Sequence, residues 1–362
     1  MNLVDDILKR AQAEPRNLPV GGMAALLGSS DEGAWETVRA AAYELKAREV
    51  GRKVNLRGLV ECSNVCAKDC LYCGIRRSNA EIERYAMDEA EIVECCRSAR
   101  EWGYGSVALQ AGEIESEANT ARYERVLRAV APDLGVTLSL GEQEADVLAR
   151  WRAAGAVRYL LRIETSDRGL YGRIHPAGHD WTRRRNCLSA LRDLDYQVGT
   201  GVMIGLPGQT PESLARDIVF FGEIDADMIG MGPWIPHPAA PLGDPGWTAE
   251  RALRLGLRMI ALTRLYLWDV NIAATTALQA LGADGRERGL LHGANVIMPN
   301  VTPLRWREGY RLYAGKPGTD ENAAASRRRL EASLAAIGET VNYGVQGNSR
   351  HYLRRRGGTA AP

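Results

Sequence analysis

The sequence predicts an α/β fold: a complete (β/α)8 barrel of the TIM type, with an N-terminal helical extension and a C-terminal helix. Two patterns predict it. Eight short β-rich runs, 53–61, 106–110, 136–140, 158–163, 198–204, 228–232, 271–277 and 294–298, recur through the chain. Amphipathic helical stretches separate most of them, among them 89–101, 123–130 and 211–221. Glycine and polar residues gather at the C-terminal ends of those runs, where a barrel places its active residues. A doubly wound open sheet is the rival architecture, but the glycine fingerprint that follows its first strand is missing. The 362 residues suffice for one barrel.

Helices come first. Leu3, Val4, Ile7 and Leu8 share one helical face, and Met23, Leu26 and Leu27 precede a stop at Gly28. Val38, Ala41, Ala42 and Leu45 make a third apolar face. Residues 1–50 therefore read as the helical extension, 51–318 as the barrel, and 319–362 as one helix followed by a polar, Gly- and Arg-rich tail. The chain is 45% hydrophobic and 25% charged, ordinary for a soluble globular protein, and its net charge is +1. That balance argues against nucleic acid or an anionic membrane as partner. No apolar run reaches bilayer length and the first residues lack a basic-then-apolar leader, so the expected location is cytoplasmic.

The loop after the first β-rich run carries the strongest signal. Cys66-x3-Cys70-x2-Cys73 offers three thiolates, enough to hold a cubane 4Fe-4S cluster by three corners. The fourth iron would stay open to a small molecule, whereas a fourth cysteine would leave electron transfer as the main use. A structural zinc site is the alternative, yet zinc knuckles recur as separated pairs and no second pair exists. Cys62 falls outside the 3-then-2 spacing and closes an apolar run, which makes it a small buried hydrophobe. Cys95, Cys96 and Cys187 lie in helical stretches and read as structural.

The other strand ends follow in order. Run two ends in Gln110-Ala111-Gly112-Glu113 and run three in Thr137 to Glu142, through Ser139. Run four holds Arg162 and Glu164 at alternate positions, so both face one side, the barrel interior. Run five continues into Met203-Ile204-Gly205-Leu206-Pro207-Gly208, and run six reaches Gly232-Pro233 and then His237. Run seven ends in Thr275-Thr276 and run eight in Met298-Pro299-Asn300. Each also has a plain structural reading. Arg162 and Glu164 suit a buried ion pair, Gly205 to Gly208 a tight turn, the threonines β-branched strand positions, and His237 a packing role. Arg183-Arg184-Arg185 opens a helix as a solvated face, from which one inward arginine would suit a carboxylate.

Together these residues resemble the radical S-adenosylmethionine (SAM) superfamily, whose CxxxCxxC loop carries an aromatic residue before its third cysteine, here Tyr72. Within it the chain is similar to the HydE group of FeFe-hydrogenase maturases, relatives of biotin synthase and methylornithine synthase. The likeness is carried by 63–74, 137–141, 158–164, 203–209, 230–233 and 293–300. It implies that Cys66, Cys70 and Cys73 ligate a 4Fe-4S cluster whose open iron chelates SAM. Reduction then yields methionine and a 5′-deoxyadenosyl radical. The resemblance sets Tyr72, Gln110, Gly112, Glu113, Thr137, Ser139, Glu164, Arg184 and Met203 around the cofactor. It sets Arg162, Thr275, Thr276, Arg286 and Tyr310 around the substrate, with Trp306 and Tyr313 near the mouth.

The implied substrate is a small organometallic species, a cysteine-derived iron carbonyl cyanide. The implied partners are a reductant such as ferredoxin or flavodoxin and the other hydrogenase maturases. An amino-acid mutase like methylornithine synthase is the enzyme alternative. A 4Fe-4S electron carrier or scaffold, with Cys62 as fourth ligand, is the alternative from another class. The chain departs from its group in three places. No cysteine follows Cys187, so a C-terminal cluster is not expected; Ile114 to Glu117 replace an aspartate, proline and aromatics; and Trp306 stands where some members have tyrosine.

Overall fold

The computed structural model describes residues 2–243, 246–317 and 323–358. Its strands are β1 (Lys53–Leu56), β2 (Gly58–Ser63), β3 (Ser106–Ala111), β4 (Gly135–Ser139), β5 (Ala156–Leu160) and β6 (Gln197–Thr200). Then come β7 (Met203–Ile204), β8 (Met228–Ile229), β9 (Gly232–Pro233), β10 (Asn271–Ile272), β11 (Val296–Ile297) and β12 (Thr340–Asn342). Seven of them form one parallel sheet in the order β10-β8-β6-β5-β4-β3-β2. The sheet curls back on itself. β1, which runs into β2 after Arg57, pairs with β11 through Asn55–Val296 and Leu56–Ile297. Single bridges, Ala273–Val296 and Leu59–Asn300, carry β11 to its neighbours. The α/β barrel of the sequence reading is thus a regular seven-strand wall, and its eighth position is held by single bridges and a two-residue strand rather than by a full ladder.

Burial explains the regular half. β3 and β4 are covered on both faces, by helices outside and by side chains inside, which is the condition for a parallel sheet. The other half breaks where backbones approach too closely for side chains. At Gly201, between β6 and β7, an added Cβ would lie 2.1 Å from the Gly230 carbonyl oxygen. The runs 198–204 and 228–232 are accordingly split, and their outer ends form a separate β7–β9 pair.

Helix boundaries follow their caps. Asp88 and Glu91 make a reciprocal capping box for Glu89–Glu101, and Thr210 with Ser213 does the same for Pro211–Glu223. The helix expected over 123–130 begins earlier, at Glu117, because Ser116 accepts from the Asn119 amide. The N-terminal helices Leu3–Ala13, Val20–Gly28 and Glu32–Glu49 pack on Pro211–Glu223 and Ala249–Leu267. A buried Lys46–Glu339 ion pair of 2.6 Å joins the third of them to the C-terminal segment.

That segment is more ordered than a single helix with a polar tail. After helix Ala323–Ala336, β12 pairs with β1, and helix Arg350–Arg355 follows. The chain between them supplies the Gln346 carbonyl and the Asn348 side chain to the fully buried Arg158, closing the N-terminal end of the barrel. Residues 318–322, which hold the expected barrel-to-tail boundary, and the last four residues lie outside the described residues. Among the described residues no helix is long and apolar enough to cross a membrane.

Candidate active site

A cavity of about 340 Å³ lies at the C-terminal ends of the strands. Its wall begins with the cysteine loop, which leaves β2 without regular structure and is held by side chains instead. Asn64 donates to the carbonyls of Glu83 (2.8 Å) and Gly309 (2.7 Å), and Arg84 donates to those of Asn64 (2.7 Å) and Ile75 (2.9 Å). Asp69 accepts from Arg76 Nε and Nη2, both at 2.8 Å. Gly112 lets β3 back onto this loop: a Cβ there would lie 2.2 Å from the Val65 carbonyl and 2.7 Å from Cys66 Cβ. The amides of Lys68 and Glu113 point at Cys66 Sγ from 3.4 and 3.3 Å, the contacts that a ligating sulfur accepts. Burial pushes the thiols of Cys66, Cys70 and Cys73 up, Cys70 to about 12. The protein alone does not make them thiolates; a bound metal centre would.

Beside the loop, four charged side chains interlock. Lys68 reaches Glu113 at 2.9 Å and Glu142 at 3.8 Å, while Arg184 reaches Glu142 at 2.6 Å and Glu113 at 4.0 Å. Burial, and then the neighbouring Glu142, push the Glu113 carboxyl up. Gly141, at φ +78°, makes room for this: its Cβ would sit 2.2 Å from Glu113 Oε2. Arg184 also donates to the Arg162 carbonyl at 3.3 Å. Its neighbour Arg183 turns outward to Glu115 and Glu144, so one arginine of the basic run does face inward.

Arg162 and Glu164 both line the cavity and pair at 3.1 Å. They lie beyond the end of β5 rather than within a strand, and Glu164 adopts φ 67°. That left-handed conformation costs a non-glycine residue about 1 kcal/mol or more. It is held by the Glu164 amide on the Gly201 carbonyl and the Met203 amide on the Glu164 carbonyl, both 3.0 Å.

The far pole is formed by the end of β10 and the segment after β11. Thr275 is the N-cap residue of the short helix Thr276–Leu281, yet its hydroxyl makes no cap bond. Its Oγ1 is buried without a hydrogen-bond partner among the described residues and lines the cavity. Thr276 Oγ1 and Tyr313 OH are 2.8 Å apart. Arg286, Tyr310 and Met298 complete this end. The segment 304–316 crosses the mouth, fastened by the Gly74 amide on the Leu312 carbonyl (3.1 Å) and by Lys316 on Glu61.

Of the residues expected around a cofactor, Tyr72, Gln110, Gly112, Glu113, Ser139, Glu164, Arg184 and Met203 line the cavity. Thr137 does not. It lies one inward position below Ser139 on β4, 1% exposed, because alternate residues of a strand stack in successive layers of the barrel interior. Trp306 is corrected as well: it stacks on Tyr85 at 4.9 Å and donates to Glu91, outside the cavity wall. Cys62 is fully buried away from the cavity, its sulfur facing the Val60 carbonyl. His237 packs on Gly74. Three charged cavity residues escaped the sequence reading. Lys68, inside the cysteine loop, could have been found there; Glu61 and Lys316 carry no motif.

The model of the radical SAM superfamily matches residues 60–221. The [FeFe] hydrogenase maturase subunit HydE of Thermotoga maritima is 43% identical over 80% of this chain and 82% of its own length. The chain belongs to the radical SAM superfamily. It is a radical SAM enzyme of the HydE type. The 3-methylornithine synthase of Methanosarcina acetivorans is 26% identical over 79% of this chain and 81% of its own. The crystal structure of methylornithine synthase (PylB) superposes with a TM-score of 0.78 at 23% identity, covering 95% of this chain and 98% of that one. It shows the fold.

Radical SAM enzymes use a 4Fe-4S cluster and SAM, and the residues present fit both. Among the described residues the one group of three metal-binding side chains with ligand atoms all within 4.8 Å is Cys70, His175 and His179. At least one pair of the three loop sulfurs is therefore more than 4.8 Å apart, wider than the ligands of a single zinc ion stand. Amide donors stand at Cys66, and a cavity with carboxylates, a buried arginine and the Thr275 hydroxyl adjoins the loop.

Proposed function

We propose that this enzyme acts in assembly of the active-site cluster of FeFe hydrogenases, on a small cysteine-derived iron carbonyl cyanide substrate. One observation carries the reading. A single cavity joins the three loop thiols at one pole to Thr276, Arg162 and the Thr275 hydroxyl, unpartnered among the described residues, at the other. When bound, the cluster and SAM supply a 5′-deoxyadenosyl radical. The chain's own residues then have four tasks. Cys66, Cys70 and Cys73 hold the cluster by three irons. Gln110, Gly112 and Glu113 would receive the SAM ammonium, Arg184 would stand near its carboxylate, Ser139 and Glu164 would help hold SAM, and the backbone from Met203 would flank its adenine, with Tyr72 and Thr137 in support.

Arg162, Thr275, Thr276, Arg286 and Tyr310 orient an anionic substrate, since guanidinium and hydroxyl donors match carboxylate and cyanide groups. The segment 304–316 and the barrel wall exclude water, which a primary carbon radical needs if it is to react only with substrate. The reading extends to a reductant of the ferredoxin or flavodoxin class, to the other hydrogenase maturases as partners, and to the cytoplasm. It also keeps residues 1–50, 51–318 and 319–362 as the helical extension, barrel and tail.

The test is in-vitro maturation of an FeFe-hydrogenase apoprotein with its other two maturases. Hydrogen evolution that requires this chain supports the proposal. No requirement, with 3-methylornithine formed from lysine instead, would establish the mutase reading.

A further inference from the structure

Outside the cavity wall, the cysteine loop leans on the end of helix Arg168–Ile174 through the Leu71 amide on the Ile174 carbonyl (3.0 Å). The residues after that helix bring two imidazoles against Cys70. One ring nitrogen each of His175 and His179, with Cys70 Sγ, lie within 4.8 Å of one another. The two rings stack at 5.5 Å and 22°. His175 Nδ1 is 2.9 Å from the Tyr171 carbonyl, which fixes the ring and leaves Nε2 as the lone-pair nitrogen, now 3.1 Å from the Tyr72 hydroxyl. His179 Nδ1 is buried and has no hydrogen-bond partner among the described residues. Nothing in the cofactor and substrate roles uses either imidazole.

A thiol, an oriented imidazole and a second imidazole with one orphaned buried nitrogen are the donor set of a mixed zinc site. Ligands of a tetrahedral zinc ion stand ~3.3–3.5 Å apart, from bond lengths of about 2.0 Å to nitrogen and 2.3 Å to sulfur. Side-chain rotations that close the triad by about 1 Å, with Tyr72 OH moved aside, reach that spacing.

We propose that, in the chain without its cluster, Cys70, His175 and His179 form a site of one thiolate and two imidazoles for a divalent transition metal, zinc above all. A water takes the fourth position. Because Cys70 serves either centre, an ion held here blocks assembly of the cluster. The blocking rests on Cys70 being a cluster ligand; the site itself does not.

The full-length Cys66→Ser/Cys73→Ser chain cannot build the cluster and keeps only Cys70 in the loop, which isolates the proposed ligands. Titrated anaerobically with Co2+ as the probe, it should bind one ion with tetrahedral d–d bands and the charge-transfer band of a single thiolate. Adding His179→Ala should weaken binding at least about tenfold, and adding Cys70→Ser should remove the charge-transfer band. No thiolate band in the parent chain, or equal affinity after His179→Ala, would overturn the site. Circular dichroism confirms that each variant is folded. His175→Gln is a second ligand variant with the same expected loss. Blocking is read separately: Zn2+ added before iron and sulfide should lower cluster yield in the unmodified chain and lower it less in His179→Ala. Equal loss in both would overturn the blocking while the Co2+ result stands.

Discussion

Thr275 and Thr276 are adjacent hydroxyls with different circumstances. Thr276 is engaged by Tyr313, whereas Thr275 Oγ1 is buried and unpaired among the described residues although it stands where a threonine would normally cap its helix. A buried hydroxyl without a partner costs about 1–3 kcal/mol, a cost that a ligand accepting its hydrogen bond would remove. Thr276→Val keeps volume and removes the donor next to it. It should leave SAM affinity unchanged and raise 5′-deoxyadenosine released per substrate turned over by about tenfold, the value of one hydrogen bond to a charged group. Product analysis after single turnovers checks this; an unchanged ratio would take the threonines out of the substrate pole. At this scale much was legible, because residues at strand ends enter a barrel cavity as a consequence of topology alone. Lys316 and Glu61 were not, since their meeting depends on a segment that crosses the mouth after the last strand.

Elements were legible in proportion to their apolar length. β3 and β4 carry buried apolar residues at Val107, Ala108 and Leu109 and at Val136 and Leu138, and appear where expected. β8, β10 and β11 have two residues each, too few to impose a pattern, and owe their place to neighbours already in register. The cysteine loop is an element without hydrogen-bonded regularity, and its shape depends on what backs it. Gly112→Ala tests this directly. The new methyl meets the Val65 carbonyl at 2.2 Å, backbone that cannot yield, so the loop must move. The expected result is a folded barrel destabilised by about 1–3 kcal/mol that retains far less iron after reconstitution. Iron and sulfide content equal to that of the unmodified chain would mean the loop does not depend on this contact.

On the scale of the whole molecule, the C-terminal segment ties both ends of the chain to the barrel floor, a role its polar composition hid. His351 is at the centre of this closure, 2.8 Å from Asp225 and 3.3 Å from Asp269, with Arg16, Arg192, Arg354 and Arg355 around the same carboxylates. Burial alone would lower its pKa, but the two aspartates outweigh it and raise the value from 6.5 to about 9. The native state therefore favours the protonated ring. Its contribution, roughly 1–3 kcal/mol, is fully present below pH 6.5 and is lost as pH rises towards 9. Thermal unfolding should show a fall in Tm across that window that His351→Gln lacks. Parallel curves for the two proteins would remove His351 from the account.

Above these contacts stands one chemical claim: three cysteines hold a cluster with one iron open to SAM at the Glu113–Arg184 side of the cavity. The most direct measurement is the electron paramagnetic resonance of the reconstituted, reduced protein with and without SAM, followed by assay of 5′-deoxyadenosine. The account predicts a reduced 4Fe-4S signal that SAM shifts, nucleoside formed from SAM, and loss of both in Cys66→Ala, Cys70→Ala or Cys73→Ala. A signal indifferent to SAM, or a cluster and nucleoside that persist in any of the three variants, would contradict it.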